Sequence, residues 1–343
     1  MCRHELRRRD LPSRSHVFLM PHLVSVVLPT YNRAETLERA IESVLNQTFT
    51  DFELIIIDDR STDNTHLILS KYANISNVRR ISQLRRGCSV ARNIGISIAQ
   101  GRYVAFQDSD DEWVPDKLAK AVAGLEGTGA EVGVFYSDML RVQADGSSAD
   151  FRSPDVEQGV FVDEATLDYQ VWCIGIQSAV IKRKCFDEAG YFDEALPRLI
   201  DLELFIRLSD KFRFVHCKEM LVKYYAGEGI STNRQALVTA RRYLLRKYHN
   251  RLKQQKHHLA KQYLHLAVAV EQNGEKYRSL AFILKALLSS PRTRGFGVRY
   301  SGYCAGGRMR GSRLPYLTRG CSQDAHLLRE LRNYDLARSR FAS

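Results

Sequence analysis

The sequence predicts an α/β protein with a mainly parallel central sheet flanked by helices and a C-terminal α-helical extension. Three observations carry that prediction. Apolar runs at residues 24–28, 52–57 and 103–106 have the length and the β-branched or aromatic content of buried strands. Helical periodicity separates them, most plainly at Leu37, Ala40, Ile41, Val44 and Leu45, a single apolar stripe. Strand, helix, strand at this spacing is a right-handed crossover between parallel strands.

Taken in order, residues 1–22 form a basic leader with Arg3, Arg7, Arg8, Arg9 and Arg14, whose apolar patch at 17–20 is too brief for an export signal. It reads as a disordered arm or a mis-assigned start, with Met20 as the true initiator. The first strand, 24–28, is broken by Pro29 and releases Thr30, Tyr31, Asn32 and Arg33. The second ends in Asp58 and Asp59, followed by Arg60, Ser61, Thr62 and Asp63. A helix over 66–72, a short strand at 78–81 and a helix opened by Gly87 lead to the strand at 103–106. That strand stops abruptly at Asp108, Asp110 and Asp111, and Pro115-Asp116 with Leu118, Val122 and Leu125 starts the next helix. Three polar clusters therefore share one sheet edge, beyond the carboxyl ends of the strands, where ligands of open α/β sheets bind.

The spacing of Asp108 and Asp110 lets two carboxylates reach one hard cation directly or through its waters, although acids in a turn often only face solvent. Asp59, at the end of a buried strand, could accept the imide N–H of a nucleobase or merely cap a helix, the role preferred for Asp63. No Gly-x-Gly-x-x-Gly or Gly-Lys-Ser/Thr loop is present, which speaks against dinucleotide redox and ATPase chemistry.

Residues 23–116 thus read as a nucleotide half and 117–232 as the second half of one domain, which the resemblance described below implies is the acceptor side. The latter opens with a strand at 132–136, followed by Ser137 and Asp138. Residues 144–154, rich in Gly, Ser and Asp, read as a mobile hairpin or lid. Trp172 could stack on a sugar face or sit in a core. In the stretch 197–208, Asp201 begins a helix, either as its N-cap, with Leu204, Phe205 and Leu208 as core, or as a general base, with Glu203 the fallback.

Composition bounds the remainder. The chain of 343 residues, 44% hydrophobic and 26% charged, suits one large domain with an appendage, and it has no apolar run of about 18 residues that would span a membrane. Seven cysteines without a Cys-x-x-Cys pair point to reduced thiols and a cytoplasmic setting. The net charge of +12 sits on the tail: 22 Lys and Arg against 5 Asp and Glu from residue 241 onward, with a net −5 before it. Residues 233–343 form a basic helical region containing an antiparallel helix pair, with about the last fifty residues loosely ordered. Docking on an anionic membrane surface and a plain solvated cap both remain open. The tail lacks the interleaved aromatic motifs of RNA readers, so no nucleic acid is expected.

Read together, Val-Ser-Val-Val-Leu-Pro-Thr-Tyr-Asn-Arg, Phe-Glu-Leu-Ile-Ile-Ile-Asp-Asp-Arg-Ser-Thr-Asp, Ala-Arg-Asn-Ile-Gly-Ile and Gly-Arg-Tyr-Val-Ala-Phe-Gln-Asp-Ser-Asp-Asp resemble, in order and over residues 23–215, the family 2 inverting glycosyltransferases. The resemblance implies a GT-A (nucleotide-diphospho-sugar transferase) fold over 23–232. It implies transfer from a nucleoside-diphosphate sugar, a UDP-sugar in the first instance, to a glycan or lipid-linked acceptor in cell-surface polysaccharide synthesis. The nucleotide cradle then maps onto Pro29, Tyr31, Asn32, Arg33 and Asp59, and the arginine near the diphosphate onto Arg92. The Asp-x-Asp motif for Mn²⁺ or Mg²⁺ maps onto Asp108 and Asp110, with Asp110 the preferred direct ligand, and the base onto Asp201. Two departures stand out: Arg60 replaces a usual glycine, and Ile200 the usual Glu before the base. Two alternatives are a transferase acting on polyprenyl phosphate, which would ordinarily need membrane helices, and a non-catalytic nucleotide- or nucleic-acid-binding protein. The expected location is cytoplasmic, peripheral at the inner face of the plasma membrane.

Overall fold

A computed structural model describes residues 22–164, 166, 168–227 and 232–290; the leader and the stretch 291–343 lie outside it. Strands β1 (Val24–Thr30), β2 (Phe52–Asp58), β3 (Val78–Ser82) and β4 (Tyr103–Phe106) alternate with helices α1 (Leu37–Leu45), α2 (Thr65–Lys71) and α3 (Cys88–Ile98). β5 (Glu112–Trp113), α4 (Lys117–Leu125), β6 (Val132–Val142), β7 (Ser148–Phe151), β8 (Val180–Lys182), α5 (Cys185–Ala189), α6 (Ile200–Lys211) and β9 (Arg213–Tyr225) follow. The sheet order is β3-β2-β1-β4-β8-β6-β9-β5, with β7 against β6.

The pairing is parallel through β3, β2, β1 and β4 and again between β6 and β9. β8 lies antiparallel between β4 and β6, and β5 and β7 are antiparallel to β9 and β6. The sheet is thus mainly parallel, as expected, with short antiparallel pairs where β5, β7 and β8 join it. Residues 144–154 hold the turn and second strand of the β6–β7 hairpin.

Pro29 does not break β1, contrary to the sequence reading; it pairs with Ile57. Val27 turns its carbonyl toward β4 and accepts the Gln107 N–H, so by alternation Pro29 faces the same side, past the last paired residue Phe106. Its missing N–H therefore costs no ladder bond.

Both faces of β1, β2 and β4 are buried, which their near-continuous apolar runs require. α1 and α4 cover one face through Leu37, Ile41, Val44, Leu118 and Leu125. α3 covers the other, where Gly95 lets the helix backbone settle on Val27; any Cβ there would collide with that side chain. Helices α7 (Arg234–Lys247), α8 (His249–Gln254), α9 (Lys256–Gln272) and α10 (Lys276–Ser289) form the extension. Val238, Leu244, Leu252, Leu259 and Leu266 join Phe205, Phe161 and Tyr169 in one apolar cluster, so α7 to α9 share the core of the sheet domain.

Candidate active site

The ends of β1 and β2 interlock. Asn32 adopts a left-handed φ of 50°, which asparagine tolerates; its N–H donates to Ser61 Oγ at 2.9 Å, and its Oδ1 accepts the Thr62 N–H at 2.8 Å. The Arg33 N–H donates to Thr65 Oγ1. Asp63 accepts the N–H groups of Thr65 and Ala34, tying the start of α2 to the β1 exit. The Arg85 guanidinium lies 4.3 Å above the Tyr31 ring. Asp59 is buried and accepts Arg86 N–H and Gln83 Nε2 on Oδ1 and Gly87 N–H on Oδ2, fastening the segment 83–87 that leads into α3. About four lone-pair sites on a carboxylate leave room for one further donor.

α3 carries Arg92 into the middle of the site. Its buried guanidinium contacts Asp108 Oδ1 through Nη2 at 2.5 Å, approaches Asp201 Oδ1 through Nη1 at 3.8 Å, and lies 5.5 Å from the Phe192 ring centre. The two carboxylates, Asp108 first, hold it firmly protonated against the cost of burial. Asp110 Oδ2 stands 3.3 Å from Arg33 Nη2, and Arg39 Nη2 donates to the Asp110 carbonyl. Asp111 turns inward, where Oδ1 accepts the Tyr225 N–H at 3.0 Å and links the acid turn to β9.

Burial, then repulsion from Asp108, raises the carboxyls of Asp110 and Asp111 above their ordinary range, and Asp111 Oδ2 has no hydrogen-bond partner among the described residues. Carboxylates raised by one another's charge fit a divalent cation, which Asp110 and Asp108 would hold. Among the described residues no three His, Cys, Asp or Glu side chains gather as a full ligand set. Oxygens of a diphosphate and water would complete the shell, the usual habit of Mg²⁺ sites.

Asp201 lies in the first turn of α6 and is not its cap. Leu199, left-handed at φ 60°, holds the cap position, while Asp201 Oδ2 accepts the Ile176 N–H at 3.3 Å across the cleft. Oδ1 has no hydrogen bond among the described residues and looks toward Arg92. Burial pushes the Asp201 carboxyl up to about 6, with Arg92 opposing and Asp108 adding to the shift. Glu203 points away from the cleft: fully buried, it pairs with Arg207 and Lys247 at 2.8 Å and accepts the Tyr248 hydroxyl, so its charge holds α7 to α6. Trp172 packs edge-on to His265 at 5.7 Å with Arg241 at 5.1 Å, a contact between the sheet domain and the extension.

The structure therefore gathers Arg92, Asp108 and Asp201 directly, with Arg33 and Asp110 joined to them through the acid turn. Asp59 is tied to the same loop that feeds α3. Ile176, Phe192 and Tyr225 were not singled out from the sequence as site residues, and Asp111 was named in the acid turn without a role of its own. The Ile176 and Tyr225 contributions are backbone N–H groups, which leave no trace in side-chain pattern.

Comparison with known proteins gives the family and the fold. The family model described as Glycosyl transferase family 2 matches residues 25–165. The amylovoran biosynthesis glycosyltransferase AmsB of Erwinia amylovora is 35% identical over 212 residues, 59% of this chain and 69% of that protein. WfgD of Escherichia coli, a UDP-Glc:alpha-D-GlcNAc-diphosphoundecaprenol beta-1,3-glucosyltransferase, is 36% identical over 102 residues, 30% of this chain and 40% of its own length. Among solved structures, the mannosyltransferase PcManGT from Pyrobaculum calidifontis, in complex with GDP-Man and Mn²⁺, superposes with a TM-score of 0.50 at 17% identity, covering 83% of this chain and 84% of its own. That last likeness concerns the fold, which is GT-A. With AmsB matched at this identity across more than two thirds of its length, the chain belongs to glycosyl transferase family 2.

Proposed function

We propose that the protein transfers a sugar from a nucleoside-diphosphate sugar, a UDP-sugar in the first instance, to a hydroxyl of a glycan or lipid-linked acceptor in cell-surface polysaccharide synthesis, with inversion at the anomeric carbon. One observation carries the reading: Arg92 reaches both Asp108 of the Asp-x-Asp turn and Asp201, which supports a diphosphate-binding side and a carboxylate base acting next to one another. The UDP-Glc donor and diphosphoundecaprenol-linked acceptor of WfgD support the class of donor and acceptor, and the part of AmsB in amylovoran biosynthesis supports polysaccharide synthesis.

Pro29, Tyr31, Asn32, Arg33 and Asp59 form the nucleotide cradle in this reading. Mn²⁺ or Mg²⁺ held by Asp110 and Asp108 would act as a Lewis acid toward the departing diphosphate. Arg92 adds charge-assisted hydrogen bonds on the same side. Asp201 takes the acceptor hydroxyl's proton as that oxygen attacks. Its pKa of about 6 keeps it ionised at neutral pH while leaving it basic enough to receive a proton. Inversion follows because the base and the leaving diphosphate flank the sugar from opposite sides.

The test pairs two variants under calorimetry and a transfer assay with Mn²⁺. Asp201→Asn should bind uridine diphosphate normally and transfer nothing, whereas Asp110→Ala should lose Mn²⁺-dependent affinity. A folded and active Asp201→Asn protein would sink the assignment of the base.

A further inference from the structure

A groove of about 560 Å³ opens between α7, α9 and α10. Its rim is cationic. Arg242, Arg246 and His249 follow one another at helical spacing along α7 and its end, and Lys285 faces them from α10. Its floor is apolar: Leu245, Leu266, Tyr263 and Phe282. Arg242 and Lys285 rest 5.8 and 5.3 Å from the Phe282 ring centre.

Among the described residues Arg242, Arg246 and Lys285 form no salt bridge; Glu275, whose carboxyl Arg242 helps lower, already pairs with Arg278 at 2.6 Å. The transfer chemistry uses none of these groups. Three cations around an apolar floor suit an anion attached to hydrocarbon better than free phosphate, which would gain nothing from the leucines and rings.

The outer face of α10 gives a second, independent observation. Tyr277 and Leu288 are 91% and 62% exposed, an unusual cost for large apolar side chains, and with Ala281 and Leu284 they form a stripe at i, i+4, i+7 and i+11. Arg278 and Lys285 border that stripe. An apolar helix face edged by cations beside a basic groove is the pattern of a helix lying in a lipid interface. Nucleic acid would satisfy the cations and leave the stripe in water.

We propose that the α7–α9–α10 groove binds the phosphate headgroup of an anionic membrane lipid while the Tyr277–Leu288 face of α10 beds into the bilayer surface. The assignment is independent of the transfer reaction, so its failure would leave the catalytic reading standing.

Sedimentation of the full chain with vesicles decides it. The wild type should bind phosphatidylcholine vesicles doped with phosphatidylglycerol and not pure phosphatidylcholine. Arg242→Glu with Arg246→Glu should weaken binding roughly thirty-fold or more, since each basic side chain near an anionic surface contributes about 1 kcal/mol. Tyr277→Ser with Leu288→Ser should weaken it with no change of charge. Lys253→Glu with Lys256→Glu, exposed basic residues off the groove, should bind nearly as the wild type, and circular dichroism checks folding throughout.

Absence of wild-type binding overturns the proposal, and so does equal loss in the off-groove variant, which would mean diffuse attraction. A single-stranded oligonucleotide that strips the protein from vesicles through the same arginines would assign the groove to nucleic acid instead. A dimer in light scattering that Tyr277→Ser dissociates would seat a second copy on α10, also overturning it.

Discussion

Arg92 Nη1 stands 3.8 Å from Asp201 Oδ1 while Nη2 of the same guanidinium holds Asp108 Oδ1 at 2.5 Å, so one planar side chain spans the two carboxylates. A lysine ammonium is a point charge on a flexible stem and cannot make both contacts with fixed geometry. Arg92→Lys should therefore fold, keep the net charge and lose about 10²-fold in kcat/KM, the scale of removing one oriented donor from a developing oxyanion. Initial rates with donor sugar measure it. A variant within about threefold of wild type would show that charge alone suffices at this position.

Asp201 accepts a proton only when ionised, so kcat/KM should fall as pH drops through about 6, the value to which burial pushes its carboxyl. Stability runs the other way. A carboxyl raised above its unfolded value of about 3.9 binds more protons when folded, so ionising it costs stability as pH rises from about 4 to 6, and the full cost is present above about 6. Asp201→Asn should then be inactive yet more stable at pH 7, by about 1 kcal/mol, and equal to wild type near pH 4. Urea midpoints at the two pH values decide; a less stable Asn variant at pH 7 would mean the charge is well compensated by Arg92.

These two residues also mark how far the sequence could be read. β4 and its acids were visible because an apolar run ending in three carboxylates is a local pattern. The proximity of Arg92 to Asp201, 109 positions apart, rested on the family resemblance and not on pattern. β5 and β9 were missed outright. β5 has two residues and exists only through pairing with Val222 and Lys223. β9 carries Lys218, Glu219 and Lys223 in a strand whose pairing with β6 shifts register three times, so its alternation is scrambled. Nor could spacing reveal which of Asp108, Asp110 and Asp111 turns inward, since that depends on the Tyr225 N–H of this same strand. The fall of Pro29 inside β1 was likewise decided by where its neighbour β4 stops.

Arg60, where the family usually has glycine, keeps the turn by adopting a left-handed φ of 63°. A non-glycine residue pays about 1 kcal/mol or more for that conformation. Arg60→Gly should remove the strain, partly offset by the greater freedom of glycine in the unfolded chain, and raise stability by roughly 0.5 kcal/mol. Thermal unfolding checks it, with an upward shift in Tm of roughly 1–2 °C expected for a domain of this size. A lower Tm would mean that the arginine side chain makes contacts worth more than the backbone strain.

Lys117 is wholly buried in the first turn of α4, with Nζ 3.8 Å from the centre of the Trp113 ring and no hydrogen-bond partner among the described residues. Burial alone pushes its ammonium down to about 7. The unfolded chain holds that proton up to about 10.4, so between about 7 and 10.4 it binds more protons than the native state and stability rises with pH. Below about 7 both states are charged and the whole penalty is present. Lys117→Met puts an unbranched apolar chain of similar length in the same space and removes the penalty. The lost cation–π contact with Trp113, about 1 kcal/mol, offsets part of the gain. The Met variant should therefore be more stable at pH 7 by roughly 1–2 kcal/mol, the scale of a buried polar group relieved of its desolvation cost, and its advantage should shrink toward pH 9 as the wild type sheds its proton. Paired urea titrations at pH 7 and 9 test both statements. A Met variant that is destabilised, or an advantage that does not change with pH, would show that Lys117 stays charged and that the Trp113 ring face compensates it in full.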